Sequence, residues 1–199
     1  DSLVNIISRR NDTLDRGDEY VKNRKGRPAK GKLESWLGDK RIRGWVHHMT
    51  RTHIASDLAR YLFCSAYGMA NRRSPRIEDW EGDRNELRPK HANIILDTQN
   101  NLKSNTHKDR FKVQLWDEPS STIVSHISKD GHYYIHPDPT QCRSLTVREA
   151  ARLQTFPDNY FFHGGRTNQY HQVGNAVPPL IAFQIAEIVS DLLERENDH

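Results

Sequence analysis

The side chains with the most obvious chemistry are eleven histidines and two cysteines. The histidines concentrate at positions 47–53 and 126–136, and neither group forms a recognised metal-binding motif with a cysteine or a carboxylate. Polar or stacking histidines near a nucleic-acid surface are therefore favoured, and a metal-dependent nuclease is the alternative. Cys64 and Cys142 are too few for a disulfide framework or a four-thiolate zinc site, which is typical of a reducing, intracellular compartment.

A second candidate site is the turn Gly174-Asn175-Ala176-Val177, which stands directly before two prolines. Glycine lets another backbone approach closely, and the asparagine amide offers both a donor and an acceptor. A helix start after the turn would add the positive end of a helix dipole. These features allow the binding of a small ligand. Taken without any flanking motif, however, they favour an asparagine that only caps the following helix.

The charge of the chain is asymmetric. The net charge is +4, but residues 1–90 carry a balance of +7 and residues 91–199 a balance of −3. The run from Arg24 to Lys32 is basic and poor in apolar residues, and Lys25 and Arg27 are its central cations. It is either a clamp for nucleic-acid phosphates or a solvated linker. No phosphate-binding Gly-x-x-x-x-Gly-Lys loop, Gly-x-Ser-x-Gly elbow or Gly-x-Gly-x-x-Gly fingerprint occurs.

Hydrophobic spacing predicts the elements that must position these side chains. A helix is predicted from about Trp45 to Ala70, with Gly68 and Asn71 as stops. Period-two alternation predicts three strands, at 111–116, 122–127 and 132–136, which together suggest a small antiparallel meander. A Thr-x-x-Glu capping box at 146–149 opens a helix, and a last helix follows the prolines at 178–179. Its wide apolar stripe over 181–193 indicates packing against a substantial surface.

Two long motifs in the last third resemble one enzyme family. The segment 143–160 reads RSLTVREAARLQTFPDNY, and the segment 172–179 reads QVGNAVPP. In sequence, order and spacing they resemble the last two motifs of DNA (cytosine-5)-methyltransferases. The preceding stretch, PSSTIVSHISKDGH at 119–132, is similar to the one before those motifs in many members. The resemblance is firm over about 110–195 and weaker over 45–105, and the stretch 1–40 shows none.

The resemblance implies roles for specific residues. Asn175, Ala176 and Val177 would contact S-adenosylmethionine, with Tyr160 nearby. A DNA-facing recognition loop would use short polar side chains and one cation, for which a plain hairpin turn is the alternative. A hinge between the recognition region and the catalytic domain would be organised by charged residues, for which helix capping and surface ion pairing are the alternative. The loop residues are Ser125, His126, Ser128 and Lys129, and the hinge residues are Arg143, Arg148 and Glu149.

The chain also departs from the family pattern. The nucleophile should be a cysteine after proline, yet Cys64 follows Phe63 and Cys142 follows Gln141. The Glu-Asn-Val acid motif and the Phe-x-Gly-x-Gly cofactor loop are absent. Methylation of cytosine needs a thiolate that attacks C6, an acid near N3 and a base flipped out of the duplex. No catalytic residue is therefore assigned, and the chain is not expected to methylate DNA alone.

We therefore expect the C-terminal portion of a DNA (cytosine-5)-methyltransferase, from a split enzyme or a fragment. The predicted fold is α+β: a β meander with flanking helices, and a C-terminal helix that completes the α/β domain of a partner or missing half. The expected partners are double-stranded DNA and that catalytic half, in a cytoplasmic restriction-modification system without a membrane. A non-enzymatic DNA-binding or regulatory remnant is the alternative. The predicted segments are an irregular basic stretch at 1–44, a recognition region at 45–142 and the methyltransferase motifs at 143–199.

Overall fold

The computed structural model describes residues 16–22, 31–80, 86–88, 111–129 and 131–197. These residues form two compact units. The first unit contains Arg16 and residues within 50–121 and 131–145, and the second contains residues within 17–49, 122–129 and 146–197. The strands are β1 (Tyr20–Lys22) and β2 (Gly44–Val46). The helices are α1 (Lys32–Leu37), α2 (Ala55–Asn71), α3 (Val147–Leu153), α4 (Arg166–Asn175) and α5 (Pro179–Asn197). Two 3-10 turns lie at Ile77–Trp80 and Ser125–Ser128.

The first unit is organised around α2. The buried face of this helix packs into a core that also contains Trp80, Phe111, Val113 and Ile135. Leu58, Ala59, Tyr61 and Cys64 supply this face at three- and four-residue spacings. Burial of these large apolar side chains is the main favourable contribution to the stability of the unit.

The helix predicted from about Trp45 begins ten residues later, at Ala55. Trp45 instead lies in β2, because that segment pairs with β1. The helix ends at Asn71 as predicted, with Arg72 in the left-handed conformation as its C-cap. It runs through Gly68, where a Cβ atom would lie 2.8 Å from a methyl carbon of Val113. Gly68 is thus a point of close packing rather than a stop.

The predicted meander is wrong. Val113 pairs with Ile135 in parallel orientation, and Ile135 pairs with Ser144 in antiparallel orientation, as isolated bridges. The segment 122–127 forms no strand or bridge with other described residues. The Ile127 N–H donates to the Val124 carbonyl, which is the local bonding of a 3-10 turn. The period-two pattern therefore does not produce a three-stranded sheet among the described residues.

The second unit contains the β1–β2 sheet and four of the helices. The two strands are antiparallel, with Val21 opposite Trp45 in the register. The described part of the segment predicted to be irregular, 1–44, therefore includes a strand and a short helix. The sheet and the helices together confirm the α+β class. The buried apolar side chains of this unit are Leu37, Ile123, Ile127, Val147, Ala150, Ala151, Phe156, Phe162, Tyr170 and Val173.

The last helix, α5, begins at Pro179 as predicted and is exposed along nearly its whole length. Phe183 contacts Trp36 with ring centroids 5.5 Å apart, and the Leu180 N–H donates to the Thr155 hydroxyl. The stretch Arg166–Glu196 is, among the described residues, long and apolar enough to cross a membrane by length and composition alone.

Candidate functional site

The capping box fixes the start of α3. The Thr146 hydroxyl accepts a hydrogen bond from the Glu149 N–H at 3.2 Å, and the Thr146 N–H donates to the Glu149 carboxylate at 2.8 Å. Two backbone donors that a helix start would leave unsatisfied are thereby paired. The reciprocal pair anchors the first turn of α3, which carries Arg148.

Arg148 is a buried cation held by backbone carbonyls. Its guanidinium donates to the carbonyls of Val46 at 3.2 Å, Pro157 at 3.1 Å and Tyr160 at 2.6 Å. Burial lowers the pKa of Arg148, whereas the negative charge of Asp158 raises it, and an arginine keeps its proton in either case. One side chain therefore ties α3 to strand β2 and to the loop that follows the helix.

The loop after α3 is held by an aromatic cluster and by His47. The rings of Phe156, Tyr160 and Phe162 lie with centroids 4.9–5.0 Å apart. The buried His47 ring accepts a hydrogen bond from the Phe162 N–H through Nε2 at 3.1 Å, and the His47 carbonyl accepts from the Arg148 N–H. The aromatic cluster and the hydrogen bond from Phe162 to His47 therefore fix the loop, while about half of the Tyr160 surface stays exposed.

The turn Asn175–Val177 connects α4 to α5. Asn175 is the last residue of α4 and is exposed, and Val177 is 64% exposed. Among the described residues, no hydrogen-bond partner is found for the Asn175 side chain, and α5 begins four positions later. The amide is therefore not a cap of α5 in this structure, and it is free to meet a ligand.

Two polar side chains in or next to the Ser125–Ser128 turn are exposed to solvent. His126 and Lys129 are exposed, Ser125 is partly exposed, and Ser128 is buried. The Ser128 hydroxyl donates to the Ser125 carbonyl at 2.6 Å and lies 3.0 Å from Nε2 of His171 in α4. The turn therefore has an outer side with an imidazole and an ammonium group, and an inner side packed on α4.

Comparison with known proteins identifies the family. The model of the family described as C-5 cytosine-specific DNA methylase matches residues 24–191, which is most of the chain. This chain belongs to that family.

Individual relatives match the chain over shorter stretches. A type II methyltransferase of Bacillus paralicheniformis, M.Bpa9945I, is 65% identical over 94 aligned residues, with 44% of this chain and 21% of the relative covered. M.AgeI of Thalassovita gelatinovora is 42% identical over 88 residues, with 44% of this chain and 20% of the relative covered. M.DdeI of Desulfomicrobium norvegicum is 37% identical over 108 residues, with 50% and 22% covered. The matched stretches amount to about a fifth of the length of these relatives.

The structure of this methylase-family chain brings together some of the residues singled out in the sequence. Arg148 and Glu149 lie together on α3. Arg143, which was grouped with them, belongs to the first unit, where it donates to the Gln141 side chain and the Ser144 carbonyl. Among the described residues, no hydrogen bond joins the Tyr160 side chain to the Asn175–Val177 turn.

Two other expectations depend on which residues are described. Lys25 and Arg27 lie outside the described residues, so the basic run stays a prediction. Within the part of the chain that is described, no group of three or more histidine, cysteine or acidic side chains could hold a metal ion. Several described histidines contact other side chains or the backbone, as His53 does with Ser144 and Tyr61.

Two residues of the site carried no functional prediction from the sequence, and a third, His47, had one only as part of the histidine group at 47–53. His47 has a backbone φ of +60°, Gln154 is buried, and His171 contacts the Ser125–Ser128 turn. Gln154 lies inside the longer methyltransferase-like motif, which could have drawn attention to it. His47 and His171 act through contacts with residues far away in the sequence, and local spacing contains no signal for such contacts.

Proposed function

We propose that this chain is the target-recognition and cofactor-closing portion of a DNA (cytosine-5)-methyltransferase. It would work with a catalytic portion that carries the nucleophile. The family match supports the reaction class, and the motifs at 143–160 and 172–179 support the part of the enzyme. The observation that carries the proposal is the exposed apolar face of α5, which begins two residues after the Asn175–Val177 turn.

The two cysteines support an external nucleophile. Cys64 is fully buried in the first unit, and burial raises the pKa of its thiol well above the ordinary range. A thiol of this kind cannot reach a DNA base, and it is not ionised to a thiolate at neutral pH. Cys142 is partly buried and donates to the Pro139 carbonyl. Since neither cysteine follows a proline, we assign the attack on cytosine C6 to the catalytic portion.

The turn after α4 fits part of a cofactor site. The Asn175 amide is exposed and offers a donor and an acceptor, and Val177 adds exposed apolar surface beside it. S-adenosylmethionine carries both hydrogen-bonding groups and apolar surface, and it supplies the methyl group of the reaction. Asn175, Ala176 and Val177 would hold one side of this donor, with Tyr160 as a further candidate contact. The catalytic portion would supply the rest of the pocket.

The outer side of the Ser125–Ser128 turn is the proposed DNA contact. The exposed imidazole of His126 suits hydrogen bonds to base edges or phosphates, and the exposed ammonium of Lys129 suits phosphate. Ser128 is buried, so we propose for it a supporting role under this surface rather than a contact with DNA. Ser125 is partly exposed at the beginning of the turn and stays a candidate contact.

The apolar face of α5 is the proposed contact with the catalytic portion. At about 100° per residue, Ile181, Ile185, Ile188 and Leu192 fall on one side of the helix, and each is about half exposed. Phe183, which contacts Trp36, falls roughly on the opposite side. Apolar side chains in such a stripe favour burial against another surface.

The composition of α5 favours a protein partner over a membrane. Glu187 and Asp191 lie four residues apart in the apolar stretch, and ionised carboxylates are costly in the centre of a bilayer. At about 100° per residue, Glu187 lies about 100° and Asp191 about 60° from Ile188 around the helix, so both flank the apolar stripe without interrupting it. We therefore propose a cytoplasmic enzyme, in keeping with the type II methyltransferases that the chain resembles.

One substitution in α5 tests the proposal. The partner in the test is the part of M.Bpa9945I outside the matched residues, which we call the catalytic portion; the completed enzyme is this chain bound to it. Ile188→Glu places a charge in the proposed interface, so the Kd between the two portions should rise at least about tenfold. Glu194→Gln, on the polar side of the same helix, should leave that Kd within twofold. Unchanged binding of Ile188→Glu in calorimetry would contradict the proposed role of α5.

A further inference from the structure

The Ser125–Ser128 turn and helix α4 lie in direct contact within the second unit. Gly174 is in the last turn of α4, and a Cβ atom built there would lie 2.5 Å from the Ser125 nitrogen and 2.5 Å from the Val124 carbonyl carbon. Any side chain at this position would push the two segments apart, because these neighbours are backbone atoms. Because Gly174 has no side chain, Val124 and Ser125 can pack directly on the last turn of α4. This end of α4 leads to the Asn175–Val177 turn.

A buried glutamine joins the same two segments. The Gln154 amide nitrogen donates to the Ile123 carbonyl and to the Val173 carbonyl, both at 3.2 Å. Ile123 lies just before the Ser125–Ser128 turn, and Val173 lies just before the end of α4. The two N–H groups of one amide therefore satisfy a carbonyl on each segment.

A histidine on α4 reaches the far end of the turn. The Ser128 hydroxyl has one proton, which it donates to the Ser125 carbonyl at 2.6 Å. The contact of 3.0 Å between Ser128 Oγ and His171 Nε2 therefore requires the histidine to be the donor. Ser128 is buried, and the exposed His126 and Lys129 are its close neighbours in the chain. His171 thus holds the inner side of a turn whose outer side carries two polar side chains.

We propose that His171 is a positioning residue for DNA recognition. Its Nε2–H fixes Ser128, and through Ser128 it fixes the orientation in which His126 and Lys129 meet DNA. This inference rests on the proposed function, because it takes the outer side of the turn as a DNA contact. His171 itself lies behind Ser128 and is not expected to touch DNA.

The test compares two substitutions in the completed enzyme. His171→Leu removes the donor, so KM for DNA should rise about five- to tenfold, whereas kcat and the Kd for S-adenosylmethionine should stay within twofold. His171→Gln keeps an amide N–H near the place of Nε2, so its KM for DNA should stay close to the wild-type value. His163→Leu, which removes an exposed histidine of the same unit, should leave the DNA KM unchanged.

A second measurement uses the 199-residue chain itself. Amide hydrogen exchange of residues 124–128 should be faster in His171→Leu than in the wild type and should recover in His171→Gln. Exchange of residues 166–175 should stay slow in all three proteins, which would show that α4 remains folded. Equal exchange at 124–128 in wild type and His171→Leu would overturn the inference.

The outcomes separate the inference from the proposed function. A completed wild-type enzyme that transfers no methyl group would overturn the proposed function and this inference with it. An active wild-type enzyme whose DNA KM is the same in His171→Leu would overturn the inference alone. In His171→Leu, a higher KM for DNA could also come with a lower kcat and weaker binding of S-adenosylmethionine, without recovery in His171→Gln. That result would overturn the inference as well, because it would indicate general damage to the fold.

Discussion

Asn175 is the single residue on which the cofactor assignment depends most. Its side-chain amide stands at the exposed end of α4, and among the described residues no hydrogen-bond partner is found for it. A capping asparagine would instead bond a free N–H in the first turn of the next helix. The geometry is therefore compatible with a ligand contact.

Asn175→Ala should weaken the binding of the methyl donor to the completed enzyme. Loss of the amide leaves its polar partner unsatisfied at a cost of about 1–3 kcal/mol, so the Kd for S-adenosylmethionine should rise roughly tenfold or more. Calorimetric titration measures this change, and Asn168→Ala in the same helix is the matched control. A lower melting temperature with unchanged donor binding would show that Asn175 is only structural.

His53 is the residue whose titration should be visible in the stability of the first unit. Its Nε2 accepts a hydrogen bond from the Ser144 N–H at 3.4 Å and lies 3.2 Å from the Ser144 hydroxyl. Burial, followed by the positive charge of Arg51, lowers the pKa of His53 to about 4, and the negative charge of Asp57 opposes the shift. His132 and Arg16 also lower it.

The folded chain should therefore lose stability in mild acid. Below the unfolded pKa of about 6.5 the unfolded chain takes up a proton at His53 that the folded chain does not, so the free energy of unfolding falls between pH 6.5 and 4. The contribution of His53 reaches about 3 kcal/mol at the acid end. Urea titrations across this range should show a shallower pH slope in His53→Leu, whereas the exposed-site control His163→Leu should keep the wild-type slope.

At the scale of elements, α3 is held in the second unit chiefly by Arg148. Arg148→Met keeps much of the apolar stem but leaves three backbone carbonyls without their donor. The free energy of unfolding should therefore fall by about 3–5 kcal/mol. Chemical denaturation of the chain measures this loss, with the exposed Arg195→Met as control. A loss below about 1 kcal/mol would contradict the anchoring role of Arg148.

Elements encoded by local rules were predictable from the sequence. The Thr146–Glu149 capping box and the start of α5 at the prolines are both found, because each depends on residues within one turn. The meander was not predictable, because β propensity does not specify a partner. Val113 and Ile135 pair with each other in parallel, and the segment around Ile127 makes local 3-10 bonds instead.

The candidate site was predictable where motifs are contiguous and not where contacts are long-range. The family resemblance predicted Asn175–Val177 as a ligand-binding turn; the structure leaves Asn175 and Val177 exposed, and ligand binding at this turn stays a prediction. It also grouped Ser128 with His126, but Ser128 points inward to His171, 43 positions away. An alternating pattern of polar and apolar residues does not indicate which side of a 3-10 turn a distant helix will cover.

At the scale of the whole molecule, the sequence carries two motifs that resemble those of the family, while the Pro-Cys and Glu-Asn-Val patterns do not occur in it. The chain matches about a fifth of the length of M.Bpa9945I, and neither of its cysteines follows a proline. The exposed stripe of α5 and the exposed turn before it are the surfaces that a catalytic portion would cover. Division of the reaction between two portions is therefore the central claim of the account.

The most direct test of this claim is transfer of a labelled methyl group from S-adenosylmethionine to DNA. Three samples are compared: the chain alone, the catalytic portion alone, and the two together. We expect transfer to cytosine C5 only in the mixture, because neither cysteine of the chain follows a proline and the catalytic portion would lack the segment that the chain matches. Transfer by the chain alone, or a mixture no more active than the catalytic portion alone, would contradict it.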